Sequence, residues 1–88
     1  MRLRSDIRLY RLGKEQVVVN PGRNSERESY LYPMNEATAM LWEAFQGREV
    51  TVEAMADVLC EAYDVSRDVA LHDIREMLQQ WKDYELLV

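Results

Sequence analysis

Hydrophobic and polar residues alternate along the first part of the chain, as they do in half-buried β-strands. In residues 6–12 (DIRLYRL), Ile7 and Leu9 alternate with Arg8 and Tyr10, which is a period of two. This pattern predicts a first strand that has one face toward a core and the other toward solvent.

Two further strands are predicted before residue 34. Residues 16–20 (QVVVN) are rich in β-branched side chains and follow a short turn at 13–15, so we expect a hairpin with the first strand. The polar residues 21–28 predict a loop, and residues 29–33 (SYLYP) predict a third strand. Because Pro33 has no N–H to donate, this strand is expected to lie at the edge of the sheet or to end there.

After residue 34 the hydrophobic period becomes that of α-helices, and three helices are predicted. Asn35, Thr51 and Ser66 are expected to cap their N-termini, and Gly47 is expected at the C′ position of the first. Each helix has an apolar stripe that predicts its buried face. The stripes consist of Ala37, Met40, Leu41, Ala44 and Phe45; of Val52, Met55, Ala56, Leu59 and Tyr63; and of Leu71, Ile74, Leu78 and Trp81 with Met77 beside them. Trp42 lies off the first stripe and is expected to pack against the sheet or the third helix, and residues 86–88 to fold back on the core.

These elements predict a single α+β domain over residues 1–88. The order β-β-β-α-α-α, a three-stranded antiparallel sheet followed by three helices, is winged helix-turn-helix-like. Hydrophobic residues make up 48% of the 88 residues, enough to bury a core. No apolar run is long enough to cross a bilayer, so no membrane association is expected. The single cysteine, Cys60, excludes an internal disulfide, and a reducing cytoplasmic location is the default expectation.

The net charge of −5 is distributed unevenly and argues against DNA binding. Residues 1–28 contain seven basic and four acidic side chains, whereas residues 29–88 contain four basic and twelve acidic ones. A winged helix would place its third helix in the major groove, but residues 66–85 contain three basic and five acidic side chains. Affinity for DNA depends on cations that neutralise phosphates, so no nucleic-acid partner is expected. A winged-helix DNA-binding regulator, with the basic N-terminal hairpin as its wing, remains the alternative.

The sequence shows no constellation of catalytic residues. His72 is the only histidine and lies off the apolar stripe, so we expect it to be solvated; Cys60 is expected to be a small buried thiol. Asp68 and Asp73 are expected to be exposed helix charges, and no glycine-rich phosphate loop is present. We therefore expect no enzyme activity, no metal and no cofactor. Protein or peptide binding remains, and an edge strand beside an apolar helix is suited to strand addition.

Three stretches of the chain resemble the PqqD family. They are residues 34–47 (MNEATAMLWEAFQG), 51–66 (TVEAMADVLCEAYDVS) and 73–87 (DIREMLQQWKDYELL). The resemblance covers residues 30–88, and the N-terminal hairpin fits only by its layout. Met34 stands where Leu is usual and Met55 where Ile is usual, and both changes preserve volume and apolarity. The matching positions are Asn35, Glu36, Trp42, Gly47, Thr51, Tyr63, Asp64, Val65 and Leu86.

The resemblance implies a recognition element for ribosomally made precursor peptides. Such a domain binds the leader region of the precursor as an added strand on strand three, packed against helix three. It presents the peptide to a modifying enzyme, often a radical SAM protein. The sequence does not identify the peptide or the enzyme, and it leaves a homodimer open. The predicted peptide-binding residues are Ser29, Tyr30, Leu31 and Tyr32 through their backbone, Leu71, Ile74 and Leu78 as pocket lining, and Arg75 and Lys82 as partners of acidic leader residues.

Overall fold

The computed structural model describes residues 1–21 and 29–88, so the loop predicted at 21–28 lies outside the described residues except for Pro21. An antiparallel sheet of three strands is followed by three helices, which confirms the predicted α+β fold. The strands are β1 (Arg8–Leu12), β2 (Glu15–Asn20) and β3 (Tyr30–Met34), and the helices are α1 (Glu36–Ala44), α2 (Val52–Ala62) and α3 (Arg67–Asp83).

The sheet has the strand order β1-β2-β3, which confirms that the third strand lies at an edge. Val18 in the central strand lies opposite Leu9 on one side and Tyr32 on the other. Gly13 has a φ of 65° in the β1–β2 turn, a conformation that glycine adopts without strain. β3 begins and ends one residue later than predicted, so Pro33 lies inside the strand, opposite Val17.

All three predicted N-caps are confirmed. In each case the side-chain oxygen of the cap accepts a hydrogen bond from the backbone N–H three residues later, which satisfies a donor that the helix itself leaves unpaired. The bonds are Thr38 N to Asn35 Oδ1 at 2.8 Å, Ala54 N to Thr51 Oγ1 at 3.1 Å and Val69 N to Ser66 Oγ at 3.3 Å.

The C-terminus of α1 differs from the prediction by one position. Phe45 is the C-cap, so Gly47 lies two residues after the cap rather than at C′. The N–H of Arg48 donates to the carbonyl oxygen of Phe45 at 3.2 Å, and Gly47 has a φ of 73° within this turn. The glycine is therefore required by the turn that follows the helix rather than by the helix end itself.

Within the described residues, one hydrophobic core lies between the inner face of the sheet and the three helices. Trp42 is 1% exposed, and its ring meets that of Trp81 edge to face with centroids 5.2 Å apart, which confirms its predicted burial. The other fully buried large side chains are Phe45, Ile7, Leu41, Met55, Ile74, Leu86, Val18 and Val50.

The two ends of the chain pair with each other beside this core. The N–H of Arg2 donates to the carbonyl oxygen of Val88 at 3.0 Å, and the N–H of Val88 donates back to Arg2 at 2.8 Å. Leu86 is fully buried, which confirms that the C-terminal residues fold back on the core. Within the described residues, no helix is both long enough and apolar enough to cross a membrane.

Candidate functional site

Strand β3 presents one of its edges to solvent. It pairs with β2 along one side, and no strand among residues 1–21 and 29–88 pairs with the other. Its side chains alternate between the two faces of the sheet. Met34 is buried and Tyr32 half-buried beneath the helices, whereas Leu31 is 59% exposed on the outer face. An edge strand of this kind has backbone donors and acceptors available for a further strand.

A groove runs between this edge and the C-terminal half of α3, and we call it the edge groove. Its volume is about 190 Å³. The strand supplies one wall, the helix supplies the other, and the N-cap of α1 closes one end. The lining residues are Tyr32, Pro33, Met34, Asn35, Thr38, Met77, Gln80, Trp81, Tyr84 and Leu86.

Two stacked tyrosines form the rim of the edge groove. The rings of Tyr32 and Tyr84 lie 4.0 Å apart between centroids and are within 10° of parallel. Burial raises the pKa of the Tyr32 hydroxyl above its ordinary value, and the nearby Tyr30, Tyr84 and Glu85 add to this shift. The stack joins the strand to the end of the helix, so both walls of the groove are held at a defined spacing.

A buried polar network holds Tyr84 in this position. The Asn20 side chain is 3% exposed, and its Nδ2 donates to the carbonyl oxygen of Tyr84 at 2.9 Å. Arg4, which is 7% exposed, donates from Nη1 to Asn20 Oδ1 at 3.3 Å and to the carbonyl oxygen of Glu85 at 2.9 Å. Its other nitrogens pair with both carboxylate oxygens of Asp6. Because these buried polar groups have partners, the turn after α3 is fixed against the sheet.

A larger groove continues from the edge groove between α1, the C-terminal end of α2 and α3, and we call it the helix groove. Its volume is about 440 Å³. The two grooves share Asn35, Thr38, Met77 and Gln80, so they form one continuous depression. The remaining lining residues of the helix groove are Ala37, Leu41, Leu59, Tyr63, Val65, Asp73, Ile74 and Glu76.

The structure separates the predicted site residues into two sets. Tyr30, Leu31 and Tyr32 lie in β3, and Ser29 directly precedes it. Of the predicted helix residues, Ile74 lines the helix groove, but Leu71, Arg75, Leu78 and Lys82 line neither groove. Leu78 is 5% exposed within the core, Leu71 packs against the core, and Arg75 and Lys82 are exposed. The involvement of these four in peptide binding stays a prediction.

The predicted site did not include Met77, Gln80 and Trp81 of α3 or the C-cap residue Tyr84, which line the edge groove. The predicted pocket residues Leu71, Ile74 and Leu78 belong to the apolar stripe that was also expected to form the buried face of the helix, and this stripe lies largely within the domain's own core. The edge groove is lined by residues at the border between the buried and exposed faces of α3. The spacing of positions 77, 80 and 84 places these residues on one side of a helix, and this spacing could have indicated a shared surface.

Cys60, His72, Asp73 and Glu76 are side chains that could in principle react or bind a metal ion. Cys60 is a free, half-buried thiol, so the expectation of a small buried thiol is met only in part. His72 is exposed as predicted, and its Nε2 lies 3.2 Å from Glu76 Oε1. With Asp73 these two form a cluster whose donor atoms lie within 4.8 Å of one another, and all three residues are exposed. Exposed acidic clusters of this kind are common on helices without a metal ion.

A further groove lies beside the opposite edge of the sheet. It has a volume of about 410 Å³ between β1 and α1, and its lining includes Arg8, Glu43 and Gln46. Arg11 pairs with Glu43 at 2.9 Å and connects this strand to α1. The domain therefore has a groove at each edge of the sheet, and a peptide-binding experiment must distinguish them.

Comparisons with known proteins agree with this fold. A comparison with curated proteins found no match. Among solved structures, one described as "TbiB1 in Complex with the TbiA(beta) Leader Peptide" matches with a TM-score of 0.75 and 18% sequence identity, over 99% of this chain and 94% of that one. The model of the family described as "Coenzyme PQQ synthesis protein D (PqqD)" matches residues 15–87, from the start of β2 to the C-terminal segment that follows α3. Because that match spans most of the sheet and all three helices, the chain belongs to the PqqD family.

Proposed function

We propose that this domain binds the leader region of a ribosomally synthesised precursor peptide by adding it as a fourth strand beside β3. The observation that carries the proposal is the free edge of β3 next to a groove lined by α3. Family membership supports it, and so does the shared fold of TbiB1, which is described in complex with a leader peptide. The domain would present the peptide to a separate modifying enzyme, such as a radical SAM protein, and perform no reaction itself.

The position of Pro33 indicates which backbone groups would bind the peptide. Proline is accommodated in a sheet where its missing N–H faces away from the neighbouring strand. Because backbone groups alternate in direction along a strand, the N–H and C=O of Leu31 then face the free edge as well. We infer that Leu31 is the central pairing residue, and that the carbonyl of Pro33 extends the ladder toward α1.

The dimensions of the two walls agree with a short extended peptide. Helix α3 has 17 residues, which corresponds to about 25 Å at roughly 1.5 Å per residue. An extended peptide of about eight residues at roughly 3.3 Å each has the same length. Strand pairing supplies affinity with little sequence preference, so side chains in the edge groove and helix groove must supply specificity.

Replacement of Leu31 by Pro tests this arrangement. The variant loses one outward N–H, and its ring occupies the position of the incoming strand, so we expect the affinity for the leader to fall by about tenfold or more. Leu31→Ala is the matched control, because it removes the same exposed side chain and keeps the N–H. Affinity is measured by titration with synthetic leader peptides of the precursors encoded beside this gene.

Amide chemical-shift mapping of the same titration identifies the edge that is used. We expect shifts in residues 29–34 and in the groove-lining part of α3. Shifts confined to β1 and the groove beside it would contradict the proposal, as would equal affinities of Leu31→Pro and Leu31→Ala. A steep salt dependence of binding to duplex DNA, without peptide binding, would instead favour the regulator alternative.

A further inference from the structure

Two carboxylates stand on the rim of the helix groove. Asp73 and Glu76 both line it, and their oxygen atoms lie within 4.8 Å of each other. Among the residues that the structure describes, no lysine or arginine lines this groove. Among residues 1–21 and 29–88, neither carboxylate forms an ion pair with a lysine or arginine, and Glu76 Oε1 lies 3.2 Å from Nε2 of the His72 imidazole. The rim therefore has two negative charges and no strong cationic partner.

Such a pair of carboxylates attracts a cation. Two like charges at this distance repel each other, and a positive group placed between them relieves that repulsion. The effect is modest because both side chains are exposed and screened by salt. The attraction nevertheless discriminates between charges, because an acidic peptide side chain at the same position would be repelled. The carboxylates therefore favour a positively charged peptide residue. Arg75 and Lys82, which do not line the groove, had instead predicted acidic peptide residues.

The floor of the helix groove is apolar. Leu41 and Ile74 are each 1% exposed, and Leu59 and Met77 contribute further buried surface at the bottom. An occupant that matches both the floor and the rim has an apolar side chain that points inward and a cationic side chain that reaches the rim. A peptide provides both from neighbouring residues, since the long stem of a lysine or arginine can lie along the surface and carry its charged group to the rim.

Because the helix groove continues into the edge groove, the distance from the carboxylates to the peptide segment that pairs with β3 can be estimated along α3. Along α3, Asp73 lies seven residues from Gln80 and eleven from Tyr84, or about 10 and 16 Å at roughly 1.5 Å per residue. An extended peptide covers these distances with about three to five residues at roughly 3.3 Å each.

We propose that the peptide bound by this domain carries a lysine or arginine, next to an apolar residue, about three to five residues outside the segment that pairs with β3. The cation binds between Asp73 and Glu76, and the apolar side chain enters the helix groove. This inference rests on the proposed function. It adds the charge of the peptide and the position of the charged residue.

The test selects peptides without assuming a precursor. Random peptides of about 16 residues displayed on phage are selected against the wild-type domain, with EDTA present so that no divalent cation occupies the carboxylate cluster. Selected peptides are synthesised with a fluorophore and titrated with wild type, with the double variant Asp73→Asn/Glu76→Gln, and with the control Glu15→Gln/Glu61→Gln. The control removes the same charge from exposed residues that line neither groove.

We expect the selected peptides to be enriched in lysine or arginine at one position. The groove variant should bind them about three- to tenfold more weakly than wild type at about 20 mM salt, and the difference should shrink at about 300 mM. The control should bind like wild type. A peptide in which that lysine or arginine is replaced by glutamine should bind wild type and the groove variant equally.

The outcomes separate this inference from the proposed function. Peptides that shift the amides of β3 but bind wild type and the groove variant equally would overturn the inference and leave strand addition intact. Peptides that bind without shifting β3, or the absence of any peptide that binds, would overturn both. Equal weakening by the groove variant and the control would attribute the effect to overall charge and would also overturn the inference.

Discussion

Trp42 and Tyr32 are both packed against another aromatic ring, but in different surroundings. Trp42 is buried against Trp81, and its indole N–H has no hydrogen-bond acceptor among the described residues. Tyr32 is half-buried and stacks on Tyr84 at the rim of the edge groove. The first pair therefore contributes mainly to stability, and the second contributes to the shape of the candidate site.

Replacement of Trp42 by Ala should lower the free energy of unfolding by about 3–5 kcal/mol, because it removes a fully buried ring and leaves a cavity. Trp42→Phe should cost less, because it retains an aromatic ring and removes the unpaired N–H donor. Leu12→Ala, at a side chain that is 61% exposed, is the control and should change little. Urea denaturation measures all three variants. An unchanged midpoint for Trp42→Ala would refute the core assignment.

Tyr32 should make the stability of the domain sensitive to alkaline pH. Its pKa is raised in the folded state, so its contribution is complete below the unfolded pKa of roughly 10 and is lost as pH rises through the folded value. Tyr32→Phe keeps the ring and removes the titrating hydroxyl. We therefore expect wild type to lose more stability than Tyr32→Phe between pH 7 and pH 11. Equal losses in thermal melts at the two pH values would contradict this attribution.

At the scale of elements, the junction between β3 and α1 organises the site. β3 ends at Met34 and α1 begins at Glu36, so Asn35 alone connects them. Its Oδ1 accepts from the N–H of Thr38 at 2.8 Å and from the Thr38 hydroxyl at 2.9 Å. Because Asn35 and Thr38 line both grooves, the capping bonds also fix the point where the grooves meet.

Asn35→Ala should lower stability by about 1 kcal/mol through loss of the cap, and it should also weaken leader binding. Asn35→Ser restores an acceptor at the cap and is expected to recover most of the stability. The measurements are thermal unfolding and peptide titration on the same samples. If Asn35→Ala unfolds like wild type, the cap does not stabilise α1 in solution.

At the scale of the whole molecule, the chain termini complete the core that supports the site. Leu3 and Leu87 form an isolated antiparallel bridge, and Leu86 is fully buried. Arg4 and Asn20 then connect the N-terminal segment and the sheet to the turn at Tyr84 and Glu85. Residues before position 15 lie outside the family match, yet in this chain they form part of one structural unit.

Leu86→Ala should therefore lower the free energy of unfolding by about 2–5 kcal/mol, as expected for a buried leucine. Val88→Ala is the matched control, because the Val88 side chain is 69% exposed and only its backbone pairs with Arg2. Chemical denaturation of the two variants compares burial at nearly the same chain position. Similar destabilisation by both would show that Leu86 is less buried in solution than in this structure.

The order of the elements, the helix caps and the edge position of the third strand were predictable from sequence because local chemistry determines them. Alternation in DIRLYRL, the side-chain acceptors of Asn35, Thr51 and Ser66, and the missing N–H of Pro33 each act within a few residues. These signals need no knowledge of the rest of the fold, so the structure confirms them with shifts of one or two residues at element ends.

Which residues of α3 line the grooves was decided only by the tertiary structure. Leu71, Leu78, Met77 and Tyr84 are all apolar or aromatic, and their composition does not show which of them the core buries. That choice depends on how α3 is rotated against the sheet and α1, which many small contacts determine together. The stack of Tyr32 on Tyr84 joins residues 52 positions apart for the same reason. Local pattern therefore determined the elements, and packing between distant segments determined the surface that they present.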